Sequence, residues 1–562
     1  MSSPNNSNLS EELTLTLPFY TNLSQAVQKK FGTAYFDLIS QSLDARRANK
    51  GRVPQITYVI RLRPPQNFIT SSFSVSNIPN IANSILPPLI PLKREQYPLI
   101  IGMGPAGLFC ALRLRERGIP SVILDRGGPA VQRMKSIAKF WRYGELDPNN
   151  NVCFGEGGAG LYSDGKLITR IKSPWVEHCL KWLVSMGAPE TILSHHNPHI
   201  GSNKIRSLIT RLTSFLQSKG ILFFYDTLVE ELLVSQVSEV SQASQQASQR
   251  NTCQGIVDSK GKNWFSPYTI LATGHSAKEL YHSLVRQEVA LSSKDFAVGL
   301  RAEHPKHLID RSQLGDFAKY PQLQGQRYTL KYYDPSEKLG TYSFCMCPGG
   351  SVLSSGTHKD HLVSNGMSNS GLNSYWSNAA IVTTVTSEFL KENFSLPPKA
   401  PEVLRGLYFQ ESIEHEAFLW SKAQGIKKNG QELPALSIKD FLEERSLNSS
   451  SVLPPSSCPS KIFKAPLYNL FPDLLRSQLQ QALTSFEDKI SHFTKGILIG
   501  PETKTSAPVT LERNKETRES LSHKGLFPCG EGAGYAGGIT SAAVDGIKTA
   551  EAIANTILLD YP

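Results

Sequence analysis

What this 562-residue chain has little of narrows its class first. It carries eight cysteines. None is spaced C-x-x-C and none joins histidine in a metal-ligand set, so no metal site is expected. The one close pair, Cys345-Met346-Cys347, has a single-residue gap unlike the dithiol of disulfide reductases. It sits in Tyr342 to Gly350, a strand-like run ending in a turn, where cysteine reads as core before nucleophile. Free thiols in a reducing cytoplasm are the simplest reading, and a cytoplasmic protein is expected. The sequence also lacks an apolar run long enough to span a bilayer. Met1 to Ser7 has no basic segment leading into an apolar stretch, so it does not read as a secretory signal. Stable membrane insertion is not expected, and no internal repeat is visible.

What is present describes a globular chain. Hydrophobic residues make up 40% and aromatic residues 9%, enough to bury a sizeable interior, and the length calls for two or three domains. The formal charge is +11. The basic residues, Lys204, Arg211, Lys495 and Lys524 among them, are spread along the chain between acids. That distribution points to a solvating surface first and to an anionic cofactor or substrate second. A nucleic-acid partner stays open as a weaker reading.

Residues 1–92 read as a small α+β module with a linker. Leu13 to Leu17 alternates like a strand, Leu23 to Phe31 is helical, and Ile56 to Ile60 alternates again. A Pro/Asn/Ser-rich connector from Pro64 to Pro91 follows. Leu108 to Arg115 then reads as a helix ending at Gly118, and Ser121 to Asp125 as the next strand, which makes a βαβ unit. Lys204 to Lys219 is a further helix, with Ser202 or Asn203 as its cap. Ile221 to Tyr225, Gly255 to Val257 and Tyr268 to Ala272 are further strands. Ser235 to Arg250 reads as an exposed loop or frayed hairpin, and Ser364 to Ser377 and Ser446 to Ser460 as polar connectors.

Two glycine-rich turns carry the chemistry. In the first, Gly102-x-Gly104-x-x-Gly107 follows an apolar strand, opens a helix with Pro105 and Ala106, and has Asp125 about 20 residues further on, the full context of a dinucleotide fingerprint. Gly102 permits the tight turn, Gly104 lets backbone approach a pyrophosphate, and Gly107 allows helix to pack on strand. The phosphates would meet the positive end of the helix, and Asp125, followed by Arg126, would accept from adenosine ribose hydroxyls. Gly155-x-Gly157-x-x-Gly160 runs into loop sequence and fails the same context test.

The second turn, Cys529 to Gly538, contains Gly532-x-Gly534-x-x-Gly537 and precedes a helix from Ile539 to Thr556. The chain stops before a second strand and acidic residue can appear, so the turn cannot complete a mononucleotide fold. Its better use is to bring a second helix N-terminus, at Gly538 and Ile539, against the electron-rich edge of a flavin, with Glu531 on the ribityl chain.

With these residues in view, the chain resembles the two-dinucleotide-binding-domain flavoproteins, and more closely a family of uncharacterised FAD-dependent dehydrogenases. The resemblance rests on Gly102 to Gly107, Phe154 to Leu167, Ala272-Thr273-Gly274-His275-Ser276-Ala277 and Cys529 to Ile539, and runs from about Pro98 to Ala554. It implies non-covalent FAD, an FAD domain interrupted by a second domain, and an oxidoreductase whose substrate is not fixed. It also implies that Ala272-Thr273-Gly274 passes close to the cofactor. Relatives commonly carry Glu at the end of the second strand and Asp after the C-terminal Gly; here Asp125 and Gly530-Glu531 stand there, which keeps the carboxylate and changes its reach.

The expected architecture is therefore α/β. A Rossmann-type FAD domain is assembled from residues 93–292 and 495–562, with 293–494 inserted as an α+β substrate or cap domain. Gly157, Gly158 and Ser163 are expected in a flavin-lining loop, since dense glycine removes Cβ atoms from the path of a flat ring. Lys166 and Asp164 are the charges best placed to touch substrate or flavin N5, with a solvated loop as the alternative. His275 is a candidate proton donor, with capping or packing as the alternative. The reaction expected is hydride transfer through flavin N5, with NAD(P)H possible as a transient donor. A flavin monooxygenase and an RNA-modifying or RNA-binding flavoprotein are the rival readings.

Overall fold

The computed structural model describes residues 12–63, 82, 85–235, 250–425, 431–446, 452–559 and 561. Most of the expected connector at 64–91 and the tract at 235–250, and part of that at 446–460, lie outside the described residues.

Five short strands form a parallel sheet in the order Leu526–Pro528, Thr269–Leu271, Leu99–Ile101, Val122–Leu124, Leu222–Phe224. Each is three residues of mostly apolar sequence, and the inner ones are buried on both faces. That is the pattern of a parallel sheet covered on both sides. The first helix, Pro105–Glu116, starts with Pro at its first turn, where a missing N–H costs nothing. It packs beside the last helix, Ile539–Ile557, and on Pro174–Ser185 and Ser202–Ser218 in one apolar core.

Between Thr269–Leu271 and Leu526–Pro528 the chain builds a second, mainly antiparallel sheet of seven strands. Its order is Lys331–Asp334, Leu339–Cys347, Trp376–Val385, Phe296–Pro305, Ile497–Glu502, Leu433–Ser437, Ile462–Lys464. Helices Arg405–Ala423 and Asp473–Glu487 contribute to its core. The two sheets are joined where Leu291–Ser293 pairs with Val509–Leu511. The return expected at 495 therefore falls later, because Ile497–Glu502 is an inner strand of the second sheet. Its apolar run, Ile497-Leu498-Ile499, suits an inner strand of either sheet, so sequence alone does not assign it.

Two further expectations change. Ser364–Ser368, expected in a connector, is a strand paired with Gly350–Ser354, its Ser364, Gly366 and Ser368 positions buried. Small polar residues there sit among carbonyl and carboxylate partners and not in solvent. Helix Ser202–Ser218 is capped by Gly201 without a side-chain bond. The Ser202 hydroxyl and the Asn203 amide reach Asn369 and Ser370 instead, fastening the helix to the turn that follows Ser364–Ser368.

The N-terminal module is a three-stranded antiparallel sheet, Glu12–Pro18, Gln55–Leu62, Phe36–Asp44, with helix Leu23–Phe31 across it. Phe36–Asp44 was not legible as a strand, since its sequence alternates weakly and all but one of its positions are half-buried. The module is tied on by backbone bonds from Gln41 N to Ser194 O and from His196 N to Gln41 O.

Glycines set the stacking distances. A Cβ at Gly107 would lie 1.9 Å from the Gly102 carbonyl oxygen, and one at Gly546 would lie 2.0 Å from that of Ala106. Gly546→Val should thus pry the first and last helices apart and lower unfolding free energy by about 1–3 kcal/mol, read by denaturant titration; unchanged stability would show that the helices do not touch there.

Candidate functional site

The carboxyl ends of the parallel strands deliver Gly102, Asp125, Ala272 and Cys529 to one edge of the sheet, where open α/β sheets bind ligands. A cleft of about 380 Å3 opens there, within the range of about 300–1,000 Å3 for small-molecule and cofactor sites. One wall is the parallel-sheet unit. Gly102, Gly104, Pro105, Ala106, Asp125, Gly158, Ser163, Lys166, Ala272, Thr273, Gly274, Glu531, Gly537, Gly538 and Ile539 all line it, with Asp164 and His275. The opposite wall comes from the intervening part of the chain: Phe344, Cys345 and Glu502 on the second sheet, Asn365 on the separate Gly350–Ser354 and Ser364–Ser368 pair, and Ser355 and Lys504 just beyond strand ends.

Four expected cofactor residues do not line this cleft. Gly107 and Gly157 are packing positions: a Cβ at Gly157 would meet Leu161 Cδ1 at 1.8 Å. Gly530 holds its turn by donating its N–H to Asp545 Oδ2 at 2.8 Å. Arg126 lines a small adjoining pocket with Phe154, Thr227 and Val229, its guanidinium over the Phe154 ring at 4.2 Å and paired with Glu279. That pocket shares Gly102, Asp125 and Thr273 with the main cleft.

Asp125 is buried, and its carboxylate accepts from Met103 N at 2.8 Å, Gly127 N at 2.9 Å and Gly155 N at 2.8 Å. Burial raises its pKa against the pull of those amides. It therefore ties three turns together, a role that sequence spacing does not show. Arg133 does the same for the Asn151 to Gly158 loop. Fully buried, it donates to the carbonyls of Asn151, Val152, Glu156 and Gly158. Glu156 Oε2 in turn accepts from Ala130 N at 2.7 Å. A lone arginine inside an amphipathic helix gives no hint of such a cage.

Asp164 and Lys166 form the polar end of the cleft. The Asp164 carboxylate meets the Ser368 hydroxyl, His199 Nε2 at 3.3 Å, Arg327 Nη2 at 3.3 Å and Lys166 Nζ at 3.4 Å. Burial would raise its pKa, but the His199 bond and the Lys166 and Arg327 charges prevail and hold it well below the ordinary carboxylate range. Lys166 also donates to the Met346 carbonyl across the cleft. His275 Nδ1 lies 3.4 Å from Glu531 Oε1, while its Nε2 is buried with no protein partner.

Residues 295–505 match the family described as "FAD-dependent protein, C-terminal domain-like". Over 522 residues the chain is 35% identical to an "Uncharacterized protein" of Clostridium beijerinckii, with 92% of each chain covered. The chain belongs to this family of FAD-dependent proteins. Solved structures with a likeness include CtdE in complex with FAD, at 11% identity and TM-score 0.29, covering 82% of this chain and 84% of that one. The open conformation of a flavocytochrome c3 fumarate reductase has 10% identity and TM-score 0.30, covering 82% and 77%.

The residues present suit FAD. Helices Pro105–Glu116 and Ile539–Ile557 both begin at the cleft, after Gly104 and Gly538, and neither has a side-chain cap. Their first-turn amides are left for a ligand. No protein atom would lie nearer than 4.0 Å to a Cβ at Gly104, and none within 4 Å at Gly537, so these glycines keep room for something other than protein. The unpartnered His275 Nε2 adds a buried polar atom in the same cleft.

Elsewhere, His358, Asp360 and His361 bring ligand atoms within 4.8 Å of one another, a grouping not foreseen when no metal site was expected. None of the three lines the cleft. Among the described residues, no helix is long and apolar enough to cross a membrane.

Two outcomes test this construction. Arg133→Leu strands several buried carbonyls, so unfolding free energy should fall by at least about 3 kcal/mol and FAD retention with it; a variant that unfolds like the parent would show the cage to be incidental. Asp164, depressed below its unfolded value of about 3.9, contributes stability that is present above that pH and lost as pH falls through the folded pKa. Asp164→Asn should therefore flatten the acid limb of stability against pH, measured by denaturant titration.

Proposed function

We propose that the protein is an FAD-dependent oxidoreductase of dehydrogenase type, acting on a small molecule held between the glycine-rich wall and the second sheet. The observation that carries this is the convergence of two uncapped helix N-termini, 434 residues apart in sequence, on one cleft. When bound, FAD supplies the two-electron chemistry, a hydride exchanged at flavin N5. Gly102 to Ala106 bind the pyrophosphate, with the amides of the first helix as donors. Arg126, Thr227 and Val229 line the small pocket that takes the adenine end. The first turn of the last helix sets partial positive charge where the reduced ring is negative.

His275 and Asp164 have separate tasks. His275 Nε2 is a buried ring nitrogen at the cleft, steered through Nδ1 by Glu531, and it holds or delivers the proton that accompanies hydride movement. Asp164, ionised and held from four sides, fixes Lys166 and leaves the lysine as the cation that faces an anionic substrate group. The second sheet covers the cleft and restricts water. Electrons enter from an organic substrate directly or from NAD(P)H docking transiently.

The test begins with reconstitution. Gly104→Val adds a Cβ that no protein atom would approach nearer than 4.0 Å, at φ −76, a conformation valine accepts. The apoprotein should unfold like the parent while FAD binding weakens by more than about tenfold, or about 1.4 kcal/mol. Anaerobic exposure of the yellow parent to a panel of organic donors and NAD(P)H should bleach the oxidised-flavin band with at least one of them. A flavin-loaded protein that none of them reduces, or a reduced one that forms an oxygen adduct and hydroxylates the donor, would overturn the dehydrogenase reading.

A further inference from the structure

Strand Leu339–Cys347 breaks register against Trp376–Val385 between Phe344 and Cys347. At the break Cys345 takes φ +44, a left-handed conformation that a non-glycine residue keeps only where its surroundings hold it. The bulge turns Cys345 into the cleft that also holds Gly104, Gly274, Gly538 and Lys166. Cys347 is fully buried behind it and donates its thiol to the Cys345 carbonyl at 3.3 Å. The same turn is gripped by two cations: Lys166 reaches the Met346 carbonyl, and Arg301 Nη1 lies 3.4 Å from the Cys345 carbonyl.

We propose that Cys345 and Cys347 are a redox pair exchanging two electrons with the flavin. The proposal rests on FAD occupying this cleft. On oxidation the Cys345 thiolate and the Cys347 thiol form one sulfur–sulfur bond and release two electrons and one proton. Both electrons and that proton pass to oxidised flavin; the reverse step opens the disulfide. Cys345 is the sulfur at the cleft, and Cys347 is its resolving partner.

The charges around the pair suit the division of labour. Hydrogen bonding with the Cys347 side chain, aided by Lys166 and Arg301 against burial and Asp164, lowers the Cys345 thiol below its usual range. The same bond and burial push Cys347 well up. When the pair holds one proton it therefore resides on Cys347, and Cys345 is the thiolate.

The holoprotein gives the test. It is reduced with dithiothreitol or oxidised with ferricyanide, freed of reagent without air, then denatured for thiol counting and peptide mass. All eight thiols should titrate after reduction and two fewer after oxidation, with the peptide spanning both cysteines lighter by two hydrogens. Neither Cys345→Ser nor Cys347→Ser should lose a thiol pair. Each variant, loaded with FAD, should also take up two fewer electrons than the parent in a dithionite titration. In the reduced pair, a long-wavelength flavin absorbance should rise with pH at values below the usual thiol range and vanish in Cys345→Ser. FAD-loaded parent with equal thiol counts in both states overturns the pair. A parent that takes up no FAD overturns the flavin assignment beneath it, whatever its thiols do.

Discussion

The contact on which the rest depends is a stack of backbone against backbone without intervening side chains. Gly107 rests on the Gly102 carbonyl, and Gly546 rests on the Ala106 carbonyl. Strand end, first helix and last helix are thereby drawn to distances that any Cβ would forbid. Because helix direction is fixed by the sheet below, this close approach also aligns the two N-termini toward the same cleft. One such terminus carries roughly half an elementary charge, and two facing one site add their fields where water is partly excluded. A ligand with a pyrophosphate at one end and an electron-rich ring at the other fits such a field better than a neutral ligand does.

The loops that complete the cleft are pinned by buried charge as well as by apolar side chains such as Val152, Leu161 and Tyr162. Arg133 is surrounded by carbonyls, Asp125 by amides, and Asp545 by Arg513, Arg518 and the Gly530 amide. Each charge is stripped of water, which is costly unless every hydrogen-bond position is filled. That condition makes the arrangement specific: a loop shifted by one residue would leave several groups unmatched. Rigid loops with open glycine positions are what a preformed cofactor site requires.

Sequence alone reveals the parallel-sheet half of this site because its signals are local. Strand, glycine turn, helix and acidic residue follow one another between Pro98 and Asp125, and their spacing has a mechanical meaning. The second turn at Cys529 to Gly538 is legible for the same reason. What sequence conceals is every contact between distant segments. Nothing near Asp125 says that its carboxylate is taken by Met103, Gly127 and Gly155, and nothing near Arg133 announces its cage. Ser364–Ser368 looks like a connector because small polar residues are read against water, whereas here they face Glu502, Pro501 and Asp164. The late return of the chain is hidden because Ile497–Ile499 would suit either sheet.

The second sheet decides what face the cleft presents to a substrate, and a buried ion pair fixes that face. Arg301 binds Glu502 through two bonds of 2.9 and 2.8 Å, linking Phe296–Pro305 to Ile497–Glu502, and reaches Asn378 on the third strand at 2.9 Å. Such a pair adds little net stability after desolvation. Its effect is positional: Arg301 spans the register break at Gly299 and the one at Phe344, and so locks two bulges relative to each other. An unbroken strand alternates sides, and Cys345 and Cys347 would then share one face at equal depth. With the bulge, one sulfur meets the cleft and the other stays sealed, so a sequence pattern that looks like buried core becomes an asymmetric pair beside the cofactor.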